Sequence, residues 1–275
     1  MKCVELSCWP KGKAERRYAG VTHIDVDNYD KSAILDKLSK GGVSISGLGY
    51  YPNPLTPDLK QRDFFIEHIK KIIRTSADLR INIVNTFIGK DKFTGIDENF
   101  KEFEKVWPDL IKYAEANNVT VCIENCPMYF TRDEAPGGNN LASAPAIWER
   151  MFNIIESKNF ALNYDPSHLV WMQMDYIKPI YQFAKKIKHF HVKDVKFYKD
   201  KYDQAGMFAP PLEYHKPKLP GLGDINWGNV VAALNDVGYN GGMIIEIEDR
   251  AYEDDLKARL DSILLARNFM NQFIL

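Results

Sequence analysis

VTVCIENCP, residues 119–127, is a short β-branched apolar run that ends on a carboxylate, Glu124. Three later stretches repeat the pattern: FALNYDPSH (160–168) reaches Asp165, IKHFHVKD (187–194) carries His191, and GGMIIEIED (241–249) carries Glu246. Each reads as a buried parallel strand followed by a helical stretch. Barrels built of such βα units keep their chemistry at the C-terminal ends of the strands. Four hard or borderline ligands arriving at one face form a divalent-metal site. The strand period agrees, because side chains two apart share a face. Cys122, Glu124 and Cys126 point one way, while Val121 and Ile123 point the other. His189 pairs with His191, and Ile244 with Glu246 and Glu248, whereas Phe190, Val192, Ile245 and Ile247 suit the helix-facing side. The polar face is therefore the barrel interior.

The same alternation extends along the chain. Strand-like runs fall near 3–8, 43–49, 81–88, 119–125, 160–165, 187–193 and 242–248, with amphipathic stretches between them. Gly41-Gly42, Asn117-Asn118 and Gly241-Gly242 sit where helices end. The expected fold is α/β, a (β/α)8-type TIM barrel with seven recognisable strands, in one domain over residues 1–275. Three connections are long and follow strand ends: Trp9 to Tyr29, Pro127 to Leu141 and Val195 to Gly223. Long connections of this kind are usually lids or binding loops.

Composition narrows the function classes. Acids (37) and bases (36) balance to a net charge of −1, which is no footprint for nucleic acid or an anionic membrane. No apolar run approaches the roughly 20 residues needed to span a bilayer, and the start MKCVELSCWP lacks a signal-peptide core. The four cysteines, Cys3, Cys8, Cys122 and Cys126, lie in strand-like runs and read as buried thiols rather than a disulfide framework. A reduced, cytoplasmic location is expected.

Glu124, Asp165, His191 and Glu246 offer three carboxylates and one imidazole. Carboxylates favour Mg²⁺ or Mn²⁺, and the imidazole moves the preference toward Mn²⁺, Co²⁺ or Zn²⁺. One divalent ion per chain is expected, Mn²⁺ first. His168, just past the strand end at Asp165, can reach a ligand held there, and Lys193 points inward by parity toward a substrate oxygen. Asn125, Asp194 and Glu248 are candidates to orient the ligands. Trp9, His23, Trp171 and Trp227 lie near strand ends or in long loops, where aromatic walls suit a sugar ring, although core packing explains Trp171 and Trp227 equally well. Lys11, Lys13, Arg16 and Arg17 form a small basic cluster, most simply a solvated loop. Gly221-Leu222-Gly223 is weak evidence for a phosphate loop.

Together CIENCP (122–127), NYDPSHLVWMQMDY (163–176), HFHVKD (189–194), LPGLGDINW (219–227) and IIEIED (244–249) resemble the xylose isomerase-like TIM-barrel superfamily. That superfamily comprises sugar (phosphate) isomerases and epimerases, and includes ketose 3-epimerases, inosose dehydratases and zinc-dependent apurinic endonucleases. CWPKGKAERRYAGVTHIDVD (8–27) and GYYPNP (49–54) resemble one bacterial sugar isomerase/epimerase branch. The resemblance implies a metal on Glu124, Asp165, His191 and Glu246, with Glu124 and Glu246 also acting as the acid/base pair. It implies His168 on a substrate oxygen, and a metal-dependent isomerase or epimerase acting on a ketose or related sugar by proton transfer through a stabilised enediolate. Homo-oligomers are common in the superfamily; the sequence leaves assembly open.

Two departures accompany the resemblance. Ketose 3-epimerases place an arginine where this chain has Phe197; Lys218 is a candidate replacement from the lid. Relatives have eight strands, and this chain lacks what is usually the first β/α unit. The expectation is a seven-stranded barrel with two free edges and a breach filled by a gap or a partner segment. A lyase of the same fold, inosose dehydratase-like or a 3-keto-glycoside β-eliminase, needs the same proton abstraction. A non-catalytic sugar-binding barrel is a further alternative. An endonuclease is disfavoured by Gly47-Leu48-Gly49-Tyr50, Asn85-Thr86-Phe87 and Pro217 where zinc-binding histidines would fall.

Overall fold

A computed structural model describes residues 2–11 and 22–274. Lys13, Arg16 and Arg17 of the basic cluster lie outside them, and Lys11 pairs with Asp25 at 2.7 Å. Nine strands are described: β1 (Cys3–Ser7), β2 (Ser44–Gly49), β3 (Ile83–Thr86), β4 (Thr120–Glu124), β5 (Phe160–Tyr164), β6 (Ile187–Val192), β7 (Asp194–Phe197), β8 (His215–Lys218) and β9 (Gly242–Ile245). Seven of them form a parallel sheet in the order β1-β2-β3-β4-β5-β6-β9. This is a nearly closed barrel whose edges are β1 and β9. The seven strands fall where the apolar runs predict them.

The outer helices are α1 (Lys31–Gly41), α2 (Leu59–Asp78), α3 (Ile96–Ala116), α4 (Pro145–Ile154), α5 (Pro166–Trp171), α6 (Lys178–Gln182), α7 (Lys199–Ala205), α8 (Trp227–Asp236) and α9 (Leu256–Met270). Aspartates cap several starts: Asp30, Asp58 and Asp255 accept backbone N–H groups of the first turns of α1, α2 and α9. The core lies between helices and sheet. On α3, Phe100, Phe103, Trp107, Leu110, Ile111 and Ala114 recur at helical spacing and are buried. Phe103 and Trp107 lie 6.2 and 6.0 Å from the ring of Phe160 on β5. Near the barrel edges the cover thins. α1 buries none of its residues, and α9 leaves Leu256, Leu260, Leu264 and Leu265 exposed.

Inside the barrel the parity reading holds. Val121, Ile123, Phe190 and Val192 join the apolar core, while Asn163, His189 and His191 form a polar chain. Ser46 Oγ lies 3.0 Å from His189 Nε2, His189 Nδ1 lies 2.9 Å from Asn163 Oδ1, and the Asn163 amide nitrogen lies 3.0 Å from His191 Nε2. Gly242 of β9 faces Ser46 so closely that a Cβ there would stand 2.9 Å from the Ser46 Cβ.

The two described long connections are tied down. Asn140 accepts from the backbone of Ile88 and Gly89 and donates to Glu124 and Cys126 carbonyls, pinning the 127–141 loop. The 195–223 connection is not irregular, as the sequence suggested. β7 and β8 pair antiparallel in a hairpin that carries α7. Asp194 anchors it, accepting from the backbone of Val195, Gly221 and Ile225 and from Trp227 Nε1. Gly221-Leu222-Gly223 serves this anchor, since a Cβ on Gly223 would stand 2.1 Å from Asp194 Oδ1.

All four cysteines are free. Burial pushes the Cys8 thiol up to about 12, and Cys122 and Cys126 are raised by the same cause. The thiolate is the reactive form. Ellman titration should therefore count all four thiols in denatured protein without reductant, while Cys8, Cys122 and Cys126 stay unreactive in the native protein. Fewer thiols on denaturation would contradict the assignment.

Candidate metal and active site

Four strand ends deliver the ligand set. β4 ends on Glu124, β5 runs into Asp165, β6 carries His191, and Glu246 follows β9, its backbone N–H donating to Val192 O at 3.2 Å. One ligand atom from each lies within 4.8 Å of the others. His191 Nδ1 stands 3.2 Å from Glu246 Oε2 and 3.7 Å from Glu124 Oε2. Glu124, Asp165 and His191 are buried, and Glu246, at 30% side-chain exposure, is the ligand nearest solvent.

Asn125 staples two of these strands. Its amide donates to Asp165 O at 2.9 Å and accepts Asp165 N–H at 2.7 Å, so the backbones carrying Glu124 and Asp165 stay in register. Pro166 and Ser167 open α5 immediately after Asp165, whose Oδ1 caps the helix at Ser167 N and leaves Oδ2 for the site.

Lys193 lies among the ligands. Its Nζ is 3.0 Å from both Asp165 Oδ2 and Glu246 Oε2, and 3.4 Å from Glu248 Oε2. His168 Nε2 is 3.2 Å from Asp165 Oδ2 and 3.3 Å from Glu124 Oε1, while its Nδ1 accepts Trp171 Nε1–H at 3.4 Å. Burial pushes the Glu246 carboxyl up, but Lys193 and His191 more than offset it, and it is held at about 2. Burial likewise opposes ionisation of Asp165, and Lys193 and His168 reverse it. Glu248 is raised by burial. Burial disfavours a charged His191, yet Glu246 and Glu5 raise its proton affinity well above the usual imidazole range.

The donor set fits a divalent ion. Among the described residues, Asp165 Oδ2, His191 Nδ1 and Glu246 Oε2 are buried and lack hydrogen-bond partners of acceptable geometry, although cations lie near. Such orphaned groups are costly unless something else satisfies them. Glu124, Asp165, His191 and Glu246 would hold the ion.

Above the set, Phe130, Ser167, His168, Trp171, Lys193, His215, Pro217 and Glu248 are among the residues that line a partly open cavity of about 10 Å³. That is room for about one water. His215, brought in by β8, stacks on Trp171 at 4.9 Å with its planes 9° apart. Neither of its ring nitrogens has a hydrogen-bond partner among the described residues, and burial, then the charges of His168 and Lys193, push it down to about 3. A larger open cleft of about 420 Å³, lined by Tyr129, Arg132, Phe208 and Glu213 among others, lies between the 127–141 loop and the lid, away from the ligands.

The remaining expected residues lie elsewhere. Trp9 packs edge-on against Tyr50 at 4.8 Å, and His23 Nδ1 accepts the Ser7 backbone N–H. Lys218 Nζ pairs with the buried Asp249 at 3.2 Å, which ties the lid to the segment after β9. Trp227 is buried and holds Asp194. Sequence reasoning missed Glu5 and His215. Glu5 sits in mid-strand rather than at a strand end, although its parity with Cys3 and Ser7 marks it as inward-facing. His215 lies inside the long connection after Val195, where no strand was marked, and the β7–β8 pairing brings it in.

The xylose isomerase-like TIM-barrel profile matches residues 1–268, and the chain belongs to that family. Four curated relatives match, each named inosose dehydratase. The one from Clostridium tetani is 24% identical over 219 residues, spanning 78% of this chain and 68% of that protein. Another, from Geobacillus thermodenitrificans, is 30% identical over 118 residues, 40% of each chain. Among solved structures, a D-tagatose 3-epimerase-like protein superposes with a TM-score of 0.69 at 17% identity, covering 99% of this chain and 89% of its own. The IolI protein with a bound zinc atom gives 0.67 at 17% identity, covering 90% and 83%. The fold is shared, and the relatives are sugar-modifying enzymes.

A metal held by these four residues would displace the proton that the carboxylates favour on His191. Calorimetric titration should find about one Mn²⁺ or Zn²⁺ per chain, as one four-ligand set requires. Affinity should fall as pH is lowered, and Asp165→Asn should bind at least tenfold more weakly. No binding, or affinity indifferent to pH between 5 and 8, would contradict the assignment.

Proposed function

We propose that this protein is a divalent-metal-dependent isomerase or epimerase acting on a keto-sugar or related keto-polyol. The observation that carries the reading is the pair Glu124 and Glu246. They come from strands separated by β5 and β6, yet both reach the same imidazole nitrogen. An ion bound there would polarise a carbonyl and a neighbouring hydroxyl and so acidify the C–H next to the carbonyl. The protein supplies the proton transfers. Glu246, kept ionised, is the base, and Glu124 returns a proton to the enediolate. Lys193 and His168 supply charge and N–H donors where negative charge develops. The lid hairpin excludes water, and the unpaired nitrogens of His215 are available to substrate hydroxyls.

A dehydratase is the second reading, favoured by the four relatives named inosose dehydratase. The abstraction is the same, but a β-hydroxyl then leaves with a proton, and Lys193 is the acid within reach of both Glu246 and Glu248.

Incubation with Mn²⁺ in D₂O, using D-tagatose, D-fructose, L-ribulose and 2-keto-myo-inositol as probes, should exchange the α-proton of at least one. A product of unchanged mass apart from deuterium identifies an isomerase or epimerase, and loss of water identifies the dehydratase. Glu246→Gln should lower exchange by about 10²–10⁴-fold. Undiminished exchange in that variant would overturn the base assignment, and no exchange by wild type would favour a non-catalytic binding barrel.

A further inference from the structure

A histidine that ligates a metal through one nitrogen usually donates the other N–H to a fixed acceptor, which sets its tautomer and ring plane. The Nδ1 of His191 faces Glu246 and Glu124. Its Nε2 lies 2.9 Å from Oε2 of Glu5 and 3.0 Å from the amide nitrogen of Asn163, and of the two only the carboxylate can accept an N–H from it. Glu5 belongs to β1 and His191 to β6, which are not neighbours in the sheet, so the contact crosses the barrel.

We infer that Glu5 is a positioning residue for the site proposed above, holding the His191 imidazole with Nδ1 turned to the three metal-binding carboxylates. The inference rests on the metal reading of that site. Glu5 is itself fixed from two other strands' ends. Tyr51 Oη–H donates to its Oε1 at 2.5 Å, and Asn85 Nδ2 donates to its Oε2 at 2.8 Å. β2 makes room for this arrangement. A Cβ on Gly49 would stand 2.2 Å from Glu5 Oε1, and one on Gly47 would stand 2.9 Å from Asn85 Nδ2. The Gly47-Leu48-Gly49 run thus gains a physical reason: it is the space the carboxylate occupies.

Glu5, His189 and His191 also bring metal-type atoms within 4.8 Å of one another. A second ion is the poorer explanation, because these atoms already have protein partners. His189 is held by Ser46 and Asn163, and Glu5 accepts from Tyr51 and Asn85. Unpartnered atoms belong to the other set, at His191 Nδ1, Asp165 Oδ2 and Glu246 Oε2.

The test is Zn²⁺ affinity, by competition with a chromophoric chelator, for wild type, Glu5→Gln and Glu5→Ala. It is joined to ¹⁵N-histidine NMR of the zinc-loaded proteins. Glu5→Ala should bind Zn²⁺ 10–100-fold more weakly. Glu5→Gln, which keeps an acceptor, should fall between. Wild type should show His191 coordinating through Nδ1 with a downfield, exchange-protected Nε2–H that Glu5→Ala loses. A merely structural Glu5 would lower the melting temperature without moving the affinity or that resonance. Should Glu5→Ala fail to fold, Glu5→Gln and Tyr51→Phe carry the test. Affinities within twofold of wild type, or coordination through Nε2, would overturn the role of Glu5 and leave the metal site standing. Absence of zinc binding by wild type would overturn both.

Discussion

Glu124, Asp165, Glu246 and Glu248 converge on one barrel mouth around the Lys193 ammonium, and Glu5 stands on the other side of the His191 ring from them. Buried carboxylates repel one another and lose hydration, so this arrangement persists only if positive charge is supplied to it. Without an ion, Lys193 and protons on His168 and His191 supply it. An ion held by the four ligands would take the place of the Nδ1 proton of His191. Most of the site's geometry answers that constraint.

The parallel barrel meets it by placing the acidic groups at strand ends while apolar side chains of the same strands face the helices. Asn125 locks the β4 and β5 ends together, and Asp194 anchors the lid that covers the mouth. The anchored lid lowers the local dielectric, which strengthens each interaction beneath it.

Much of this was legible in the chain. The strand runs carried their own signal, since β-branched apolar segments alternating with periodic ones have few other solutions, and parity assigned the inward faces of β4, β6 and β9. The long connection after Val195 was less legible. Its hairpin contains Pro217, and its stability comes from contacts distant in sequence, such as Lys218 with Asp249 and Leu212 with the Phe130 carbonyl. Glu5 was hidden for a related reason. A single glutamate within CVELS carries no local motif, and its meaning comes from Tyr51, Asn85 and His191, which only the closed sheet brings to it. Trp227 could be a wall or a core residue from sequence; its indole N–H on Asp194 makes it a support for the lid.

The most direct test of the central claim is anomalous diffraction at the zinc edge from crystals of the wild-type protein grown with Zn²⁺. One strong peak should lie within coordination distance of Glu124, Asp165, His191 Nδ1 and Glu246, with Lys193 Nζ displaced from the carboxylates and Glu5 retained on His191 Nε2. A peak among Glu5, His189 and His191, or density at the four ligands without an anomalous signal, would contradict it.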